Sequence, residues 1–188
     1  MTVPDLDARW AAATRHPFLD AVRDGTLPDG AFETWLAQDA LFVADLLRFQ
    51  ARLLARAPRP AQAVLAGGCV ALVEELAWFE DLAAVRGLDL AVEPLPATRD
   101  YAELLERLDT TDYANAVRCL WAVERSYLDA WTSALPGAAP YADLVEHWTT
   151  PGFRAYVEDL ERLAGDGTDD ELLAAVLEQE RAFWDMAL

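Results

Sequence analysis

Apolar positions recur every three or four residues along most of the chain, and no window of it shows the sustained apolar and polar alternation of a strand. This helical period predicts an all-α protein. The pattern places helices at about Asp5 to Arg23, Asp29 to Arg56, Pro60 to Arg86, from Thr98 onward, at about Asp112 to Ala134, around Tyr141 to Trp148, at Pro151 to Ala164 and after Thr168.

Proline and capping residues mark several of the helix ends. His16-Pro17 is a point where the first helix can divide, and Thr150-Pro151 is typical of an N-cap followed by a first-turn proline. The last helix has the best-marked start, because Thr168-Asp169-Asp170-Glu171 fits the capping-box pattern S/T-x-x-E. Residues 87–97 form the only long connector that contains proline.

No internal repeat, low-complexity tract or heptad run interrupts this pattern. With 188 residues and 54% hydrophobic content, the chain suits one globular domain that buries both a core and a ligand cavity. We therefore expect a single domain over residues 1–188, folded as an antiparallel bundle of about seven or eight helices.

Charge narrows the range of partners and chemistries. The net charge is −18 and belongs mainly to the general surface, which disfavours nucleic acid and anionic membranes as partners. All 15 basic residues are arginine. Without lysine the chain has neither a lysine Schiff base nor the lysine of a P-loop, so PLP-type catalysis and P-loop nucleotide binding are excluded.

Several features favour a soluble, cytoplasmic protein. The start of the chain, MTVPDLDARW, lacks the basic and apolar regions of a secretion signal. The apolar stretches are broken by charged residues before the roughly 18 positions that a membrane span needs. Cys69 and Cys119 each lie in an apolar helical stretch, which fits reduced thiols better than a disulfide.

Four carboxylates stand among large apolar side chains, and they are the first candidates for a functional site. A buried carboxylate must be neutralised, paired or hydrogen-bonded. Helical spacing puts the three glutamates on the same faces as aromatic rings, so several helices could direct acids into one cavity. The alternative is that each acid lies in water at the edge of an amphipathic stripe. The four acids are Asp39 in WLAQDALFV, Glu75 in VEELAWF, Glu124 in CLWAVERSYLDAW and Glu180 in LEQERAFWDMA.

Other chemistries have less support in the residues. The histidines are His16 and His147, and neither follows a glutamate by three positions, so the E-x-x-H ligand pair of a di-iron carboxylate bundle is missing. Cys119 is a candidate nucleophile, but a lone buried cysteine is usually packing, and a reactive thiol needs a lowered pKa. We expect neither a metal nor a cofactor.

The chain resembles the TenA family of thiaminase-II-like proteins, which act in thiamin-pyrimidine salvage and share the heme-oxygenase-like helical fold. The resemblance spans nearly the whole chain and rests on segments in the expected order. They are HPFLDAVRDGTLPDGAFETWLAQD, ELAWF, TRDYAELL, LWAVERSYLDAW, HWTTPGF and LEQERAFWDMA.

The resemblance implies a role for each matching residue. Asp39 matches the aspartate that hydrogen-bonds the amino and ring nitrogens of the pyrimidine, and Glu180 matches the acid or base at the leaving group. Tyr101 matches a pocket tyrosine, and Cys119 falls in the column of the nucleophile that adds to the ring. With Glu75 and Tyr127 expected to shape the pocket, the site would combine ring binding and proton transfer.

The chain also differs from the thiaminase-II branch, in which tyrosines follow the aspartate and the cysteine. Those places hold Phe42, which we expect to contact the substrate, and Val123. The motif W-A-[IV]-E, with Glu124, is similar to the E-type branch, whose pocket commonly lacks the cysteine. The chain therefore mixes the markers of the two branches.

These observations together predict a cofactor-independent hydrolase of aminomethyl- or formylaminomethyl-pyrimidine that yields hydroxymethylpyrimidine for thiamin salvage. A homo-dimer or homo-tetramer is expected by resemblance to relatives. Two alternatives stay open: a non-catalytic ligand-binding or regulatory protein with the same fold, and an oxidase that uses a metal or a bound cofactor.

Overall fold

The computed structural model describes residues 5–165 and 167–188, which form nine α-helices, a short 3-10 turn and no strand. The all-α prediction is confirmed. The helices are α1 Leu6–Thr14, α2 Pro17–Asp24, α3 Ala31–Ala55, α4 Gln62–Arg86, α5 Pro96–Asp109, α6 Tyr113–Ser133, α7 Ala142–His147, α8 Pro151–Leu163 and α9 Asp170–Asp185, and the 3-10 turn at Arg59–Ala61 precedes α4.

The first predicted helix divides at His16, as the His-Pro pair allowed. The Nδ1 atom of His16 accepts the backbone N–H of Phe18 at 3.2 Å, and Pro17 opens α2. The predicted cap of the last helix is wrong by one residue. Asp169, not Thr168, is the N-cap, and one of its carboxylate oxygens accepts the N–H groups of two residues in the first turn.

Helix α5 begins two residues before the predicted Thr98, at Pro96. A side chain on α3 explains this start. The Oε1 atom of Gln38 accepts the N–H of Leu95 at 2.8 Å and the hydroxyl of Thr98 at 2.6 Å. The connector is thereby fixed to α3 one residue from Asp39.

An aromatic core joins the long helices. Trp35 of α3 stacks on Trp184 of α9, with ring centroids 5.6 Å apart and planes 12° apart. Trp131 of α6 meets Trp184 edge to face at 5.6 Å, and it stacks on Trp148, after α7, at 4.4 Å. These contacts hold α3, α6 and α9 together around one centre.

Helix α4 is the least buried of the long helices. It packs on α3, yet Val70 and Val73 on its outer side are 58% and 55% exposed. By length and composition alone, the segment Arg59–Arg86 could cross a membrane. In this fold, 22% of its most apolar window is buried inside the protein. The expectation that the protein has no membrane partner stays a prediction.

Candidate active site

A cavity of about 620 Å³ lies between α3, α4, α6 and α8. This volume is in the range of small-molecule sites, and the wall is mostly apolar with a few polar groups. Five of the predicted site residues line it, namely Asp39, Phe42, Glu75, Glu124 and Tyr127.

Asp39 is the buried acid of α3. It is 1% exposed, and its Oδ2 accepts the hydroxyl of Tyr127 from α6 at 3.0 Å. Burial raises the pKa of Asp39 well above its ordinary value, the Tyr127 hydrogen bond opposes this, and the nearby charges of Glu75 and Glu180 add to it. This environment favours the protonated carboxyl, which can both donate and accept a hydrogen bond.

Glu75 of α4 makes two hydrogen bonds to the chain around α7. Its Oε1 accepts the indole N–H of Trp148 at 2.7 Å, and its Oε2 lies 2.8 Å from Nε2 of His147. The imidazole of His147 stacks on Trp78, with centroids 3.9 Å apart and planes 6° apart. Both carboxylate oxygens of Glu75 are therefore fixed, as is the plane of the imidazole.

Glu124 of α6 lines the cavity without a hydrogen bond to any residue in the part of the chain that the structure describes. It is 6% exposed, and burial, followed by the charges of Glu180 and Glu75, raises its pKa to about 8. A buried carboxyl of this kind holds a proton near neutral pH and lacks a partner until a ligand supplies one.

Tyr101 and Glu180 lie in the layer behind the cavity wall, and neither lines the cavity itself. The Tyr101 hydroxyl of α5 donates to Oε1 of Glu180 on α9, and the Tyr101 ring packs on Phe42 at 4.5 Å. Burial raises the pKa of Glu180 to about 7, against the opposing effect of the Tyr101 hydrogen bond. The charge of Glu180 contributes to the raised pKa of Glu124, so the two carboxyls interact electrostatically.

Cys119 is not brought to the cavity. It is 1% exposed, and burial raises the pKa of its thiol to about 12, so the thiol is protonated at neutral pH. This geometry gives no support to a nucleophile at Cys119, and its catalytic role stays a prediction. Gly68, the residue before Cys69, lies where α4 closely approaches Gln50 of α3 and Tyr156 of α8.

Four cavity residues with an aromatic or imidazole ring were not predicted as site residues, although a quoted segment, HWTTPGF, contains three of them. These residues come from α7, α8 and the link between them. The hydroxyl of Tyr156 is buried without a hydrogen-bond partner among the described residues. The four are His147, Trp148, Phe153 and Tyr156.

Among residues 5–165 and 167–188, no group of three or more histidine, cysteine, aspartate or glutamate side chains is arranged to hold a metal ion. The carboxyls around the cavity are instead paired with hydroxyl, indole and imidazole groups, or left free, as Glu124 is. An all-helical bundle with such a cavity defines a small-molecule site that offers hydrogen bonds and proton transfer.

Comparison with known proteins agrees with this class. The profile of the TENA/THI-4/PQQC family matches residues 3–188. A Glycine max protein named "Probable bifunctional TENA-E protein" is 34% identical over 200 aligned positions, covering 95% of this chain and 87% of that one.

Solved structures of TenA homologues have the same fold as this chain. A TenA homologue from Pyrococcus furiosus has a TM-score of 0.90 at 27% identity, with 97% of this chain and 95% of that chain covered. A TenA homologue from P. horikoshii has a TM-score of 0.86 at 20% identity, with coverages of 97% and 94%. The chain belongs to the TENA/THI-4/PQQC family, and the predicted resemblance and fold are confirmed.

Proposed function

We propose that this protein is a cofactor-independent hydrolase of thiamin salvage. In this proposal it replaces the amine on the methylene carbon of aminomethyl- or formylaminomethyl-pyrimidine with water and releases hydroxymethylpyrimidine. Family membership and the name of the Glycine max relative support an enzyme of this kind. The observation that carries the proposal is a set of three buried carboxyls in and behind the cavity wall, Asp39, Glu124 and Glu180, each with a raised pKa.

Asp39 is the group that orients the ring. In its protonated form the carboxyl donates its O–H to a ring nitrogen and accepts the adjacent amino N–H on its other oxygen. Tyr127 fixes the carboxyl in one orientation through Oδ2. Phe42 and Trp148, both on the cavity wall, offer aromatic surface to the ring. A planar aminopyrimidine matches this combination of paired hydrogen bonds and stacking.

Glu180 supplies the proton for the departing nitrogen. A pKa of about 7 is suited to this work, because the group is protonated often enough to act and gives the proton up readily. Because Glu180 does not itself line the cavity, its proton needs a relay to the substrate, and we assign that relay to Glu124, the carboxyl that does line it. The amino group of the ring assists, because its lone pair stabilises positive charge on the methylene carbon as the C–N bond breaks.

The test is incubation of the protein with aminomethylpyrimidine, formylaminomethylpyrimidine and thiamin, with hydroxymethylpyrimidine followed by mass spectrometry. We expect the product from at least one of the three. Tight binding of hydroxymethylpyrimidine without turnover would instead identify the non-catalytic, ligand-binding alternative. Iron or a chromophore in the purified protein, with no hydrolysis, would identify the oxidase alternative.

A further inference from the structure

The cavity wall carries one imidazole, His147, which the proposed function does not yet use. It is the last residue of α7. The inference below rests on the proposed function and extends it to the group that activates water.

The hydrogen bonds of Glu75 determine the tautomer of His147. Oε1 of Glu75 is occupied by an indole N–H, which can only donate, and Oε2 lies 2.8 Å from Nε2 of His147. A carboxylate that receives two donors is satisfied in its ionised form, so Nε2 carries the hydrogen. The other ring nitrogen, Nδ1, is then left with its lone pair.

His147 lines the cavity, and its free lone pair has no competitor among the residues that the structure describes. Nδ1 of His147 has no hydrogen-bond partner in the described parts of the chain, and 31% of the His147 side chain is exposed. The stack on Trp78 prevents the ring from turning out of its plane. The imidazole is therefore a fixed acceptor with access to solvent, and the carboxylate behind it stabilises the positive charge that a proton would bring.

We propose that His147 is the base that takes a proton from the hydrolytic water, and that Glu75 is the positioning residue that fixes its tautomer. The oxygen of the water forms a bond to the methylene carbon while the C–N bond breaks. The electron pair of that bond stays on nitrogen, which takes the proton supplied by Glu180. The proton lost by the water moves to Nδ1, and it returns to the acid side through solvent, so the cycle is balanced.

The surroundings of His147 favour this division of roles. Five acids line the cavity together with His147, and the wall has neither lysine nor arginine. They are Glu74 and Glu75 of α4, Asp159 of α8, Glu124 of α6 and Asp39 of α3, and of these Glu75 contacts His147. Burial raises the pKa of Glu124 to about 8, so this carboxyl keeps its proton near neutral pH. The cavity thus combines a carboxyl that holds a proton with an imidazole that is free to take one.

The experiment is chemical rescue. We expect His147→Ala to lower kcat about 100-fold or more, the usual contribution of a general base, and to leave the Kd of hydroxymethylpyrimidine within about twofold. Added imidazole should restore at least about one tenth of the lost rate, because it can stack on Trp78 in the space left by the side chain. Glu146→Gln, an exposed acid on the same helix, is the control and should keep full activity.

A second measurement does not depend on the variant's folding. Long-range ¹H–¹⁵N correlation spectra of the wild-type protein should show His147 protonated at Nε2, and Glu75→Gln should abolish that preference. An Nδ1–H tautomer in the wild type, full kcat in His147→Ala, or a lost rate that imidazole does not restore would overturn the inference while wild-type turnover left the proposed function standing. No turnover by the wild type would overturn both.

Discussion

The hydroxyl of Tyr127 on α6 donates to Oδ2 of Asp39 on α3, and this 3.0 Å bond joins two helices across the cavity. The two residues are 88 positions apart in the chain. Their pairing restricts the Asp39 carboxyl to one orientation. We expect much of the binding energy of a pyrimidine ring to depend on this hydrogen bond.

Tyr127→Phe should weaken the binding of hydroxymethylpyrimidine by about 1–3 kcal/mol, because the buried Asp39 loses the one hydrogen-bond donor that the described residues provide for it. Isothermal titration calorimetry measures the change. Tyr113→Phe is a matched control, since the Tyr113 hydroxyl is buried without a partner among the described residues. Equal affinities of Tyr127→Phe and the wild type would contradict a binding role for the pair.

Glu180→Gln should lower kcat by about 100-fold or more, because glutamine cannot donate the proton that the departing nitrogen needs. In the wild type the protonated form of Glu180 is the active one, and its pKa is about 7. The rate should therefore fall as the pH rises through about 7. A pH profile of kcat that stays flat from pH 6 to pH 9 would argue against this assignment.

Glu124→Gln should make the protein more stable at high pH. The folded state raises the pKa of Glu124 from about 4.5 to about 8, so its favourable contribution is complete below pH 4.5 and is lost as the pH rises through 8. At pH 9 the variant should exceed the wild type by on the order of a few kcal/mol in the free energy of unfolding.

Urea unfolding at several pH values measures this effect. In Glu124→Gln the free energy of unfolding should still fall with rising pH, although less steeply, because the pKa values of Asp39 and Glu180 are raised as well. The control variant Glu146→Gln, which changes an exposed acid, should show the same pH dependence of the free energy of unfolding as the wild type. A variant that lost stability at pH 9 would show that Glu124 is paired in solution.

Gly68→Ala should destabilise the protein by about 1–3 kcal/mol through overpacking. A Cβ atom at this position would lie 2.0 Å from Nε2 of Gln50 and 2.3 Å from the hydroxyl of Tyr156, and Gln50 is held by a 2.9 Å bond to the carbonyl of Leu65. Gly67→Ala is the matched control. No atom lies within 4 Å of a Cβ there, so this change should instead stabilise the helix by about 0.5–1 kcal/mol. Thermal melts of the two variants should move in opposite directions.

Cys119→Ser should keep most of the turnover, because burial holds the pKa of this thiol at about 12 and the side chain does not reach the cavity. Iodoacetamide should label the partly exposed Cys69 well before Cys119. If Cys119→Ser were completely inactive but melted at the wild-type temperature, that result would support the thiol as the nucleophile.

The sequence predicted the parts of the site that depend on local periodicity. Asp39, Glu124 and Tyr127 share buried faces with aromatic residues at helical spacing, and all three line the cavity. The partner of Glu75 was not predicted, because His147 is 72 positions away on a six-residue helix whose place is set by tertiary packing. Whether an inward acid reaches the cavity or the layer behind it, as Glu180 does, also depends on how the helices cross, and periodicity does not contain that information.

Trp148 touches both the cavity and the aromatic core: its indole N–H binds Glu75, and its ring stacks on Trp131 at 4.4 Å. Trp131 in turn meets Trp184, and Trp184 stacks on Trp35. Excitation energy passes readily between indoles at such distances. A molecule that quenches Trp148 should therefore also lower the fluorescence of Trp131, Trp184 and Trp35. Binding of a ligand in the cavity should thus be measurable by intrinsic tryptophan fluorescence, without a label.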